Sequence, residues 1–345
     1  MTQPQILSQP TAARSLAAAA ALAPLRVSYA SLSGAHALAA LLAQTDVLAV
    51  VGFGDSAPMT HADPRYLHVA LQPVDAALFE VWRAQGAVTT MRTDLVRWAS
   101  DGDYAFGVLE LEETRHGDIE GAAATAYRSL VGWLAASPTP HVLRIWNYLD
   151  AINLGGGDAE RYRRFCSGRA AGLQPGFVDA YPAATAIGVR DGRRVLQMYW
   201  LAARSAGTAL ENPRQLSAWR YPREYGPHAP SFARAMRAPA STLQVYISGT
   251  AAIVGHRSHH REDVAAQLDE TLANIGSLLA AARIESGARF GANCLLKVYV
   301  RRAADIAAAR AQLAVRLPAD TPLLLLCGDI CRSELLIEID GVQGV

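Results

Sequence analysis

The chain is 345 residues long, 51% hydrophobic, and carries a formal net charge of +1. So much apolar chain suits two domains with buried cores, while the balanced charge argues against a general binder of nucleic acid or other polyanions. No stretch reaches the roughly 18–20 apolar residues of a membrane span, so no membrane contact is expected.

Residues 1–25 read as a flexible tail. Arg14 precedes an alanine-rich run, but the polar stretch ahead of it is barely charged and no convincing cleavage site follows, unlike a secretory signal. Further on, the spacing predicts a strand over 104–112, a helix opened by Asp118 and running to about 136, a strand over 142–149 and a helix over 160–173. Two strands, 184–189 and 194–201, follow around the turn Arg190-Asp191-Gly192-Arg193. An irregular segment, 211–234, comes next. Its Trp219, Tyr221, Tyr225 and Phe232 predict an ordered loop, because disordered segments are poor in aromatics. The order then repeats: a strand over 243–255, a helix from Asp263 to about 283, a strand over 294–301, a helix over 305–316, and strands over 322–327 and 333–341. Both halves read β-α-β-α-β-β. Asp118 aligns with Asp263, 142–149 with 295–300, and Tyr199 with Glu338. The prediction is a layered α/β (α+β) fold with helices on one face of mixed sheets, divided into the tail 1–25, a first unit 26–210 and a second unit 211–345.

On the closing strand, alternation would put Glu334, Leu336 and Glu338 on one face. A carboxyl buried there resists ionisation and becomes a usable acid near neutrality; in water, the same glutamates would mark an ordinary edge strand. Arginines cluster on the helix over 160–173 (Arg161, Arg163, Arg164, Arg169) and in the segment 211–234 (Arg214, Arg220, Arg223, Arg234). Their planar forks suit carboxylates. The second group, set among prolines and tyrosines, is the better anion site. Lys297 is the only lysine, which reflects composition more than function. The four cysteines, Cys166, Cys294, Cys327 and Cys331, are scattered, which suits a reducing cytoplasm rather than a disulfide framework or a zinc site. His256, His259, His260 and Asp263 resemble a metal cluster at a glance, but Asp263 reads as a helix cap. Gly155-Gly156-Gly157 reads as a loop insertion, since no Lys-Ser/Thr pair follows it. No metal and no cofactor are expected.

The stretch 274–339 resembles a Rid-type (YjgF) domain, through NIGSLLAAA, LLKVYV, PAD and LLIEI. WNYLDAIN at 146–153, ERYRRFCSGRA at 160–170, YPAATAIG at 181–188, ENPRQ at 211–215, YPREYGP at 221–227 and SGTAAIVGH at 248–256 together resemble the chorismatases. The resemblance implies two Rid-like units with the substrate, chorismate, in the cleft between them. It implies a metal-free, cofactor-free release of pyruvate. The acid is expected early in the last strand, at Glu334, with Glu338 as the second choice. A cysteine in the preceding strand accompanies 3-hydroxybenzoate as product, and Cys327 takes that place, with Cys331 expected to be structural. Arg214, Arg169 and Arg234 are expected to hold the substrate's carboxylates, and Tyr148, Tyr199 and Tyr221 to wall its ring. The alternatives are hydrolysis to a dihydroxycyclohexadienoate, Rid-type imine deamination, and non-catalytic binding of a small acid. Deamination is disfavoured because Thr321-Pro322-Leu323 stands where that family carries an arginine. Rid domains trimerise, so a monomer or a trimer is expected.

Overall fold

The computed structural model describes residues 22–32, 34–75, 78–174, 181–240 and 243–345. Most of the expected tail, residues 1–21, lies outside them. Leu22 and Leu25 are core residues, each 1% exposed, and the Leu22 N–H donates to the Pro239 carbonyl at 3.1 Å.

Both predicted β-α-β-α-β-β units are present. In the first, the strands Tyr104–Glu112, His141–Asp150, Ala183–Val189 and Val195–Ala203 alternate with the helices Ile119–Ala136 and Arg161–Gly172. In the second, Val245–Ala251, Cys294–Val300, Leu323–Cys327 and Ile337–Gln343 alternate with the helices Val264–Ala281 and Ile306–Arg316. Within each sheet the strands run in the same spatial order: third, second, fourth, first. The third strand is parallel to the second, and the others pair antiparallel. The first helix of each unit starts where an aspartate caps it. Asp118 accepts from the Glu120 and Gly121 N–H groups at 2.8 and 3.1 Å, and Asp263 accepts from Ala266 at 3.0 Å. Each cap satisfies N–H groups that have no partner within the helix.

Ahead of these units stands a third, shorter sheet. Arg26–Ser31, Val47–Phe53, Tyr66–Val69 and Leu78–Arg83, with the helix Gly34–Leu42, repeat the same strand order without a second helix. The units also exchange edges. Gln72–Pro73 pairs with Leu323–Cys327 of the second unit, and Asp329–Ile330 of the second unit pairs with Ala183–Val189 of the first.

One face of each large sheet packs on its helices. The opposite faces meet in a common core that contains Trp82, Trp146, Tyr199 and Tyr246. At its centre lies a cluster of charges with side chains 1–2% exposed. Lys297 Nζ is 2.8 Å from Glu80 and 3.9 Å from Asp340, and Arg144 is 3.1 Å from Asp340. Two positive charges face two negative ones, the balance a buried ionic cluster requires.

Two register details differ from expectation. The closing strand is Ile337–Gln343, and Glu334 lies in the turn before it. Tyr148 opposes Gln197 just as Tyr299 opposes Glu338. The counterpart of Glu338 is therefore Gln197, while Tyr199, opposite Trp146, matches Asp340, opposite Lys297. A strand displaced by two residues keeps its faces, so periodicity alone does not detect the shift.

Candidate active site

Along Ile337–Gln343, Ile337 and Ile339 pack under the helices, while Glu338, Asp340 and Val342 face inward. Glu338 is 4% exposed and lines a cavity of about 600 Å³. Burial pushes its carboxyl up to about 8; the Asp340 charge pushes the same way, and Arg144, Arg301 and Arg234 pull back. Gly249 makes room for it, since a Cβ at 249 would collide with the Glu338 carboxyl. The Gly249 N–H donates to Thr185 Oγ1 at 3.0 Å, and that hydroxyl donates to Asp340 Oδ2 at 2.8 Å. Thr185 belongs to the first unit, so the acid's surroundings are built across the two units.

Facing Glu338 around the cavity are Arg234 and Arg332. Arg234 donates through Nη2 to the Leu216 carbonyl at 2.7 Å and to Tyr221 Oη at 2.8 Å. The Arg332 guanidinium lies 4.0 Å from the ring centre of Tyr225 and 5.0 Å from that of Tyr221. It also donates to the His256 carbonyl at 2.8 Å. Each arginine keeps one buried nitrogen without an acceptor among the described residues, Nε of Arg234 and Nη2 of Arg332. An unpaired buried donor is costly unless a ligand completes it, and guanidinium donors suit carboxylates. The segment 211–234 is ordered around this site. It carries two short turns, Ala218–Arg220 and Arg223–Tyr225, and supplies Tyr221, Tyr225 and Phe232 to the wall.

A relative from Streptomyces rapamycinicus named chorismatase is 38% identical over 280 residues, covering 78% of this chain and 83% of its own length. The chain belongs to the chorismatase family. A Streptomyces hygroscopicus protein named 3-hydroxybenzoate synthase is 35% identical over 314 residues, 86% of this chain and 91% of that one. The family description "chorismatase FkbO/Hyg5-like, N-terminal" matches residues 80–202. The crystal structure of a chorismatase superposes with a TM-score of 0.82 at 32% identity, covering 93% of this chain and 99% of the other.

In this chorismatase-family chain, three of the expected site residues line the cavity: Glu334, Arg234 and Tyr221. The other five do not. Cys327 sits in register with Val300 and Gln72, and the charge that acts on its thiol is Arg190. Arg214 is paired with Glu270. Arg169 donates to the Ser231 carbonyl and lies 4.9 Å over the Tyr127 ring, so it braces the loop behind Phe232. Tyr148 and Tyr199 are buried in the central core, their hydroxyls 3.2 Å apart. Cys331, expected to be structural, lines the cavity. Arg332, Tyr225 and Gly249 are lining residues absent from the expectation. Gly249 had a signal, as a glycine within a strand marks close approach of another group. Arg332 had none, because its place depends on a loop with no sequence period. Among the histidines singled out, His256 sits 3.2 Å from Tyr225 Oη. No helix among the described residues is long and apolar enough to cross a membrane.

Proposed function

We propose that this protein converts chorismate to 3-hydroxybenzoate and pyruvate, with Glu338 as the acid. The observation that carries the reading is a buried carboxyl, lifted to about 8, in a cavity that also holds two arginines with unpaired N–H groups. Chorismate is a dianion, and Arg234 and Arg332 offer forks for its carboxylates. Protonated Glu338 gives its proton to the terminal methylene of the enolpyruvyl ether. Positive charge develops at the ether-bearing carbon, and the carboxylate left behind stabilises it. An oxygen nucleophile adds there, and the bond to the ring oxygen or ring carbon breaks to free pyruvate. The substrate equals the two products in atoms, so the reaction consumes no oxidant or reductant.

The cysteine associated with the aromatic product is reassigned in this proposal from Cys327 to Cys331. Cys331 lines the same cavity as Glu338, and burial, followed by the Glu338 charge, pushes its thiol well up. It therefore acts as a neutral S–H that shapes the pocket and offers a weak donor, not as a thiolate. Hydrolysis is the second reading, supported by two relatives named chorismatase, at 38% and 37% identity.

Incubating the protein with chorismate tests the proposal. Pyruvate with a 3-hydroxybenzoate spectrum is expected. Pyruvate with the dihydroxycyclohexadienoate moves the protein to the hydrolytic branch, and no pyruvate ends the catalytic reading. Glu338→Gln is expected to lose roughly 10²–10⁴-fold in turnover, while Glu334→Gln keeps most of it. The reverse result would make Glu334 the acid.

A further inference from the structure

The cavity-lining residues Cys331, Arg332 and Glu334 stand on an irregular stretch that makes no regular sheet pairing. Something other than a ladder must hold it, because its carbonyls need donors. The Arg301 side chain supplies donors both within the stretch and at its entry. Its Nη2 donates to the carbonyls of Ile330 at 2.7 Å and Arg332 at 2.9 Å, and its Nε to that of Leu335 at 2.7 Å. Its Nη1 donates to Asn153 Oδ1 and Asp329 Oδ1, each at 2.9 Å. A guanidinium has five N–H groups, and these five bonds use them all. Arg301 has none left for a substrate, and it does not line the cavity.

Two further carbonyls of the stretch are held by amide side chains: that of Glu334 accepts from Gln267 Nε2 at 2.9 Å, and that of Cys331 from Asn153 Nδ2 at 3.2 Å. Asn153 opens the Asn153-Leu154-Gly155-Gly156-Gly157-Asp158 insertion of the first unit, where the second unit has only the short link from Val300 to Ile306. At the far end of the same insertion, Asp158 accepts two bonds from Arg223, at 2.9 and 2.6 Å, and so ties down the segment 211–234. Gly155 and Gly157, with φ of 98° and 54°, provide the left-handed turns between the two contacts. One insertion thus contacts both irregular segments of the cavity wall.

We propose that Asn153 and Arg301 are positioning residues that fix the Cys331 thiol relative to Glu338 and thereby set which product forms. The inference rests on the proposed chorismate reaction and on Cys331 as its pocket thiol. Asn153→Ala removes the bond to the Cys331 carbonyl and one anchor of Arg301. Asn153→Asp keeps an acceptor for Arg301 but loses the donor to Cys331. Both variants are expected to keep KM within about twofold, to lower kcat by roughly 10- to 100-fold, and to raise the dihydroxycyclohexadienoate relative to 3-hydroxybenzoate by about tenfold. Arg301→Lys is expected to shift the ratio the same way; if it does not fold, the two Asn153 variants decide.

A purely structural role would lower both products together, so an unchanged product ratio in folded Asn153→Ala and Asn153→Asp overturns the inference, whatever happens to kcat. Wild-type protein is assayed in parallel. If it releases no pyruvate, or pyruvate with the dihydroxycyclohexadienoate alone, the functional reading fails; if it gives 3-hydroxybenzoate and the variants keep its product ratio, only the positioning role fails.

Discussion

Glu338 and Glu334 are four residues apart and chemically identical, yet they meet different surroundings. Glu338 is on the strand, under Gly249, two positions from Asp340 on the same face. Glu334 lies in the turn, where its main-chain carbonyl accepts from Gln267 Nε2 at 2.9 Å. An acid of the Glu338 kind works only while protonated. The expected pH profile of kcat/KM is therefore level at lower pH and falls above a midpoint of about 8. Asp340→Asn removes a negative charge that disfavours ionisation of Glu338. The falling limb should then move to lower pH. A limb that stays in place, or moves up, would show that Asp340 does not tune the acid. At this scale, the sequence supported a strand carboxylate in an apolar setting but not the choice between the two. That choice depends on where the strand begins. The carbonyls of residues 330, 332 and 335 accept from Arg301, which holds the run ahead of Ile337 out of the ladder.

The Glu338 carboxyl lies against the strand Val245–Ala251 only because residue 249 has no side chain. The register shifts between Ile247 and Thr250, and the irregularity opens the space that the Glu338 carboxyl fills. Gly249→Ala is expected to leave the protein folded and to reduce turnover by about 100-fold, because small displacements of a reacting group are costly. Steady-state kinetics with circular dichroism as the folding control check this; wild-type kcat would show that the contact is dispensable. The helices were legible in the sequence because their caps and apolar spacing are local signals, as at Asp118 and Asp263. The edge strands Gln72–Pro73 and Asp329–Ile330 were not. Each is two residues long and exists only because another unit offers it a partner. Arg234 and Tyr221, which line the cavity, stand in an arginine-, proline- and tyrosine-rich segment that marks itself by composition. Tyr148 and Tyr199 were misplaced because their burial depends on three sheets converging, which no local pattern encodes.

The three sheets share one centre, and that centre is ionic. Lys297 comes from the second unit, Glu80 from the short N-terminal sheet and Arg144 from the first unit. Removing one partner from such a cluster leaves a buried charge uncompensated. Lys297→Met is expected to destabilise the protein by about 3–5 kcal/mol, and adding Glu80→Leu should recover part of that loss. Denaturant unfolding of the single and double variants checks both. A single variant as stable as wild type would mean that the cluster contributes little to holding the units together.

Lys297 is also the only lysine in the sequence, and it is 2% exposed. In the folded protein, the one ε-amine is thus withheld from solution at the junction of all three sheets. Amine-reactive labels should reach it only when that junction opens, so modification at residue 297, followed over time by mass spectrometry, becomes a clock for separation of the sheets. The surface, with arginine as its only basic side chain apart from histidine, can be treated with such reagents while the ε-amine inside goes unmarked.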